Sequence, residues 1–263
     1  MRLRKILIIF GLIIALSISS FCFYVFSSKY VVPILMYHHI DENAEASSLS
    51  VSSENFRQQM RFLSRRSYNV ISLKDFIEIK EKKLKFPRNT VVITFDDGYE
   101  DNYIAAYPLL REYNLPATIF VIVDSLGKKG YLSYAQIKEM KSSMIIDIGS
   151  HTLEGDYLPG RSKDQLKREI GLSKKKLQAA LGKKIDFFCY PLGGFSPRIQ
   201  EIVKKYGYSG ACATNRGYAQ THLNDDIFAL KRIKIKDSFP NLFVFWVKLS
   251  GYYNLFRRVR EPY

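Results

Sequence analysis

Val91-Val92-Ile93-Thr94-Phe95-Asp96-Asp97-Gly98-Tyr99 is the stretch on which the fold turns. Its first five residues are apolar or β-branched without interruption, which reads as a buried strand. The run then stops abruptly at two carboxylates and a glycine. In parallel α/β architectures functional side chains gather at the C-terminal ends of strands. Asp-Asp-Gly is good turn chemistry, and a plain turn accounts for the three residues by themselves. Adjacent carboxylates also repel each other, so the pair persists most easily beside a cation or a shared proton. A metal held by one carboxylate, with the other left as a base, satisfies that condition.

Further strand patterns lie at Val31–Tyr37, Asn69–Ser72, Ala117–Ile122, Ile145–Ile148, Phe187–Tyr190, Gly210–Ala213 and Ala229–Ile235. Amphipathic helical patterns alternate with them near 53–65, 74–82, 102–113, 133–142, 163–181, 197–206 and 241–256, several opened by a Ser or Asp that can cap. This alternation predicts parallel strands wrapped by helices, as an open doubly wound sheet or a closed barrel. No dinucleotide-binding glycine fingerprint or phosphate loop follows any strand. Hydrophobic residues at 47% and charged residues at 25% are those of an ordinary globular chain, with no repeat or low-complexity linker.

The N-terminus differs in kind. Arg2, Arg4 and Lys5 precede Ile6 to Phe26, a run without a charge and long enough as a helix to span roughly 30 Å of hydrocarbon. Basic residues before such a run keep the N-terminus cytoplasmic and send the body outside. Bulky Phe21, Phe23, Tyr24 and Phe26 at the end of the run favour an uncleaved signal anchor over a cleaved peptide. The expected organisation is a basic end at 1–5, an anchor helix at 6–26, an α/β body at 31–240 and an aromatic, basic C-terminal helix at 241–263, packed on the body or resting on the membrane surface. The net charge of +15, of which the first three cations supply three, suits an anionic lipid or wall surface. No nucleic-acid motif is present. Cys189 and Cys212 sit in apolar runs, where buried free thiols are the commoner state and a mutual disulfide the alternative.

Three more strand ends carry polar chemistry. His151 follows Ile145–Ile148 and precedes Glu154 and Asp156, a spacing that suits a divalent-metal site or a structural histidine. Tyr190-Pro191-Leu192-Gly193-Gly194-Phe195 has the glycines that let backbone amides turn toward a ligand. His38 and His39 end the first strand, and either could be a general acid or a hydrogen-bonded structural residue.

Val-Pro-Ile-Leu-Met-Tyr-His-His-Ile, Thr-Phe-Asp-Asp-Gly-Tyr, Ser-His-Thr, Tyr-Pro-Leu-Gly-Gly and a late Leu230-Lys231-Arg232-Ile233 occur in that order. The set resembles the NodB-homology polysaccharide deacetylases, in the exported branch that opens with Pro-x-Leu-x-Tyr-His. The resemblance spans about residues 31–236. It implies a distorted (β/α)7-type barrel, here preceded by one transmembrane helix, binding zinc or another divalent metal. It implies Asp96 as the base, Asp97 and His151 as metal ligands, and the Leu192 N–H as an oxyanion donor. Tyr99, Tyr190, Pro191 and Phe195 become walls of a sugar groove, and the substrate an N-acetylated amino-sugar polymer.

The chain departs from the family pattern in three places. A second metal-binding histidine is expected four or five residues after His151, where Gly155 and Asp156 stand, so Asp156 is the expected third ligand. The late Leu-His-Asp motif is missing, His222 not matching it, which leaves His38 as the expected acid. No arginine precedes Tyr190-Pro191 to orient Asp96. A non-catalytic carbohydrate-binding relative and a metal-dependent hydrolase of small amides are the competing readings.

Overall fold

The computed structural model describes residues 10, 13–14, 16–20, 31–41, 49–214, 226–238 and 241–253. The chain divides into two compact units, Met1–Val31 and Val32–Tyr263. Most of 6–26 lies outside the described residues. Among those that are described, no helix is long and apolar enough to cross a membrane.

The second unit contains β1 (Ile34–Tyr37), β2 (His39–Ile40), β3 (Ser50–Val51), β4 (Asn69–Val70), β5 (Thr90–Phe95), β6 (Ala117–Val121), β7 (Ile146–Ser150), β8 (Phe187–Cys189), β9 (Gly210–Cys212) and β10 (Ile233–Lys234). Its helices are α1 (Ser53–Arg65), α2 (Leu73–Glu81), α3 (Tyr107–Glu112), α4 (Tyr134–Ser142), α5 (Lys163–Lys167), α6 (Ser173–Leu181), α7 (Pro197–Lys205) and α8 (Asn241–Leu249). All pairings of the main sheet are parallel, in the order β10-β1-β5-β6-β7-β8-β9, with β4 beside the start of β5. The sheet curls until β9 meets the chain feeding β10: Ala213 N–H donates to Leu230 O, and Arg232 N–H to Thr214 O. The pair β2 and β3, outside the predicted strands, forms a small separate sheet.

Register sets the site. Tyr37 lies opposite Phe95, so His38 and Asp96 leave neighbouring strands side by side, tied by Asp96 N–H to Tyr37 O. Val121 lies opposite Ser150, and His151 N–H donates to Val121 O one step beyond. Beneath this end, α1 presents Phe56, Met60 and Leu63 at helical spacing to the sheet. Phe56 meets Tyr37 edge-on at 5.3 Å, and Tyr37 stacks on Phe95 at 5.3 Å. The stretch predicted as one helix over 163–181 contains a π-helical turn at Arg168–Leu172 between α5 and α6. Gly171 is required there because Tyr206 occupies the space that a Cβ would need. The bulge carries Glu169 inward.

Cys189 and Cys212 are opposite one another on β8 and β9, and both are free, buried thiols.

Candidate active site

Asp96 is buried, and a buried carboxylate needs a partner. Arg232 supplies it in fork geometry, with Nη1 to Oδ1 at 2.7 Å and Nη2 to Oδ2 at 2.6 Å. The remaining guanidinium donors reach Thr94 Oγ1 at 3.0 Å, Ala213 O at 2.8 Å and Cys189 Sγ at 3.0 Å. All five N–H groups are therefore engaged. Burial pushes the Asp96 carboxyl up, but the Arg232 charge and its hydrogen bonds outweigh burial and bring it down to about 2. The sequence offered no charged partner before Tyr190-Pro191. The structure corrects this: the arginine arrives from the closing segment of the sheet. Its signal was weak: Arg232 stands between Lys231 and Lys234 in the same short run, and only its full burial shows which of these cations most needs a partner.

Asp97 and Gly98 both have left-handed backbones, at φ 71° and 75°, which form an elbow that turns Asp97 away from Asp96. Asp97 Oδ1 lies 3.4 Å from His151 Nε2. Burial opposes ionisation of Asp97, yet the His151 hydrogen bond and charge draw its pKa below the ordinary value. His151 Nδ1 is 3.0 Å from Cys189 O, a bond that only an Nδ1–H can donate, so neutral His151 presents the Nε2 lone pair to Asp97. Burial works against a charged His151, but Cys189, Asp97 and Asp96 together raise its pKa well above the ordinary value. A proton held between Asp97 and His151 occupies the position in which a cation would be satisfied by both.

His38 completes the cluster. Its Nδ1 is buried without a hydrogen-bond partner, which marks a position shaped for a missing group. Burial chiefly lowers its pKa, against the opposing pull of Asp96 and Asp97. His39 is differently employed: its Nδ1 is 2.6 Å from Asp101, and its ring stacks on Tyr99 at 3.5 Å between centroids. Tyr99 is half-buried, and its pKa is raised by burial and by the Asp97 charge to which its hydroxyl is bonded. Tyr99 and Tyr131 tilt together at 5.3 Å, so two aromatic rings lie beside Asp97.

The Tyr190 motif divides between core and site. Leu192 takes a left-handed backbone, φ 54°, in a one-turn 3-10 segment and leaves its side chain 69% exposed. Tyr190 and Phe195 are not groove walls: both are fully buried, stacked at 5.0 Å, with the Tyr190 hydroxyl donating to Phe228 O. Pro191 is buried as well. Side chains continuing a β-strand inward meet the core before they can meet a ligand.

Asp156 is not brought to the cluster. Its side chain is 54% exposed and paired with Arg161 at 2.5 Å. The intervening loop is a tight turn, with Gly155 N–H donating to Thr152 Oγ1, and a Cβ on Gly155 would meet Ile122. Buried Glu169, absent from the sequence-based candidates, holds this loop by accepting from Leu153 N–H and Glu154 N–H at 3.0 and 3.1 Å. Among the described residues, the donor atoms of Asp96, His151 and Cys189 lie within 4.8 Å of one another. Arg232 already satisfies two of those three groups, and burial raises the Cys189 thiol pKa, so Asp97 and His151 are the better cation partners.

Strand-end carboxylates and imidazole gathered at one end of a curled parallel sheet are the layout of an α/β enzyme site. A sequence model of the polysaccharide deacetylases matches residues 83–211. The Bacillus subtilis protein YxkH is 34% identical over 204 residues, 78% of this chain and 71% of that one. A Staphylococcus aureus poly-β-1,6-N-acetyl-D-glucosamine N-deacetylase is 28% identical, covering 80% of this chain and 76% of its own. The Streptococcus pyogenes deacetylase PplD, solved with acetate, superposes with a TM-score of 0.73 at 28% identity, covering 81% of this chain and 97% of that one. The chain belongs to the polysaccharide deacetylase family.

Proposed function

We propose that this enzyme removes N-acetyl groups from N-acetylhexosamine residues of an extracellular or cell-wall polysaccharide, using a divalent metal held by Asp97 and His151. The observation that carries the reading is the 3.4 Å approach of Asp97 and His151 beside an Asp96 kept ionised by Arg232. When bound, such an ion, zinc or another, polarises the acetyl carbonyl and makes water a stronger nucleophile. Asp96, unprotonated at neutral pH, accepts the proton of the attacking water. The Leu192 N–H, on a left-handed backbone, would donate to the developing oxyanion, and His38, kept neutral at rest by its burial, would pass to the departing amine the proton that Asp96 takes from water. Tyr99 offers a ring face to the sugar.

The poly-N-acetylglucosamine named for the staphylococcal relative is the first substrate to test, with chitooligosaccharides and peptidoglycan beside it. Acetate release from one of these, lost on chelation and restored by a divalent ion, is the expected result. No release from any of them by metal-replete protein would overturn the assignment. A second reading, amino-sugar binding without turnover, draws on one observation: the loop after His151 brings no third donor to the metal. In that case the glycan would bind with no acetate formed.

The charge-free run 6–26 behind Arg2, Arg4 and Lys5 supports an anchored enzyme with its body outside the cytoplasm. Digestion of the body by protease added to spheroplasts is the expected result, and protection from it would overturn the orientation.

A further inference from the structure

The C-terminal helix α8 has two dissimilar faces. One is packed: Phe245 and Leu249 are buried, Phe245 meets Phe62 of α1 edge-on at 6.1 Å, and Gln59 Nε2 donates to Asn241 Oδ1 at 2.8 Å. The other leaves Phe243 60% and Trp246 52% exposed. These two line an open groove of about 740 Å3 with Leu242, Phe62, Tyr68 and the cationic Arg66.

The groove lies at the end of the sheet where strands begin. Arg66 to Tyr68 connects α1 to β4, and Asn89, also in the groove, immediately precedes β5. Asp96 follows the other end of β5, six residues and roughly 20 Å away. The helix-to-strand connections at the groove end expose Arg65, Arg66, Lys82, Lys83, Lys85 and Arg88, with Lys82 paired to Glu78. Among and beside these cations Leu84 and Met144 stand 59% and 91% exposed. Exposed indole, phenyl and alkyl groups set among arginines and lysines match the border between lipid headgroups and acyl chains.

The chain itself selects a bilayer over an acidic protein as the occupant. β1 begins at this same end, and the uncharged run that finishes at Phe26 precedes Ile34 by eight residues, at most about 28 Å of extended chain. A tether this short limits which end of the barrel can approach the membrane.

We propose that the strand-start end of the barrel docks on an anionic bilayer, Trp246 and Phe243 at the interface, with the catalytic end directed away from the membrane. This rests on the anchored reading above. Docking would then present Asp97 and His151 to polymer outside the headgroup layer, and the cationic rim would hold the body upright on the surface.

Trp246 is the sole tryptophan, and so an intrinsic reporter of its surroundings. The full-length chain is reconstituted into phosphatidylglycerol–phosphatidylcholine vesicles with brominated acyl chains, and flotation is measured with Trp246 emission. The expected result is flotation together with loss of about half or more of the emission to lipid bromine, relieved at high salt. Arg66→Glu and Arg88→Glu, each a change of two charge units, should each lower the docked-to-undocked ratio about thirtyfold at low salt. Protein that floats but whose Trp246 is quenched by aqueous iodide and not by lipid bromine overturns the docking while leaving the anchor intact. Protein that does not float overturns both. Quenching indifferent to both charge reversals and to salt overturns the role of the cationic rim.

Discussion

Replacing Arg232 by methionine tests whether the buried pair with Asp96 is the electrostatic keystone of the site. The carboxyl's ordinary value of 3.8 falls to about 2 in the folded protein, a difference worth about 2 kcal/mol in favour of the ionised folded state. Loss of the cation also strands a buried charge, and breaking such pairs from one side typically costs about 3–5 kcal/mol. Destabilisation in that range is expected near pH 7, read from urea unfolding. Because the native pKa is depressed, the wild-type contribution is present above the unfolded value and is lost as pH falls from about 4 through 2. In the variant burial, the largest single influence on Asp96, is opposed only by His151 and His38 and raises the carboxyl above its unfolded value, so acidification stabilises the variant relative to the wild type. The difference should therefore shrink between about pH 7 and pH 4. Asp96→Asn combined with Arg232→Met removes both charges, and the double-mutant cycle should return a coupling of at least about 2 kcal/mol. A loss under about 1 kcal/mol, or one independent of pH with no coupling, would refute the reasoning.

Asp96→Asn should retain bound metal and lose acetate release, whereas Asp97→Asn should lose both; metal analysis beside turnover separates them, and equal metal loss would contradict the division of roles. Asp156→Ala should leave metal content unchanged, since the carboxylate is engaged with Arg161 in solvent, and a severalfold loss of metal affinity would return Asp156 to the ligand set. His38→Ala should cut kcat by roughly 10²–10⁴ with metal retained, the range of a lost general acid. Glu169→Ala leaves two buried or half-buried N–H groups without an acceptor and should cost about 1–3 kcal/mol while weakening metal binding through His151; unchanged hydrogen exchange at Leu153 and Glu154 would count against it.

The order and kind of the elements were legible because the strands and helices have different apolar periods. Helix α1 spans the predicted 53–65, and β5 is one residue longer at its start than the predicted run. What the pattern could not carry was the bulge at Arg168–Leu172, since a π turn adds one residue without disturbing the apolar face. Asp96, His151 and His38 could be placed for a different reason: each follows a strand directly, so its position in space is fixed by its position in sequence. Tyr190 failed under the same rule. It too follows a strand, but alternation sends every second side chain inward, and the parity of a three-residue strand cannot be read before its neighbours are known.

Arg232 shows where local reading stops. Its partner lies 136 residues earlier in the chain, and only closure of the curled sheet brings the two together. That distance has a mechanistic consequence. A carboxylate held at about 2 by an arginine is ionised throughout the physiological range, so its availability as a base does not depend on ambient pH. The same depression makes it a weak base, able to accept a proton only from water already made acidic. Asp97, turned aside by the elbow at Asp97-Gly98, and His151 would together supply the place where a cation does that. The fold thus separates two carboxylates adjacent in sequence by giving one a fixed organic cation; on the proposed function the other is left for a replaceable ion, which is why their substitutions should be distinguishable by metal content alone.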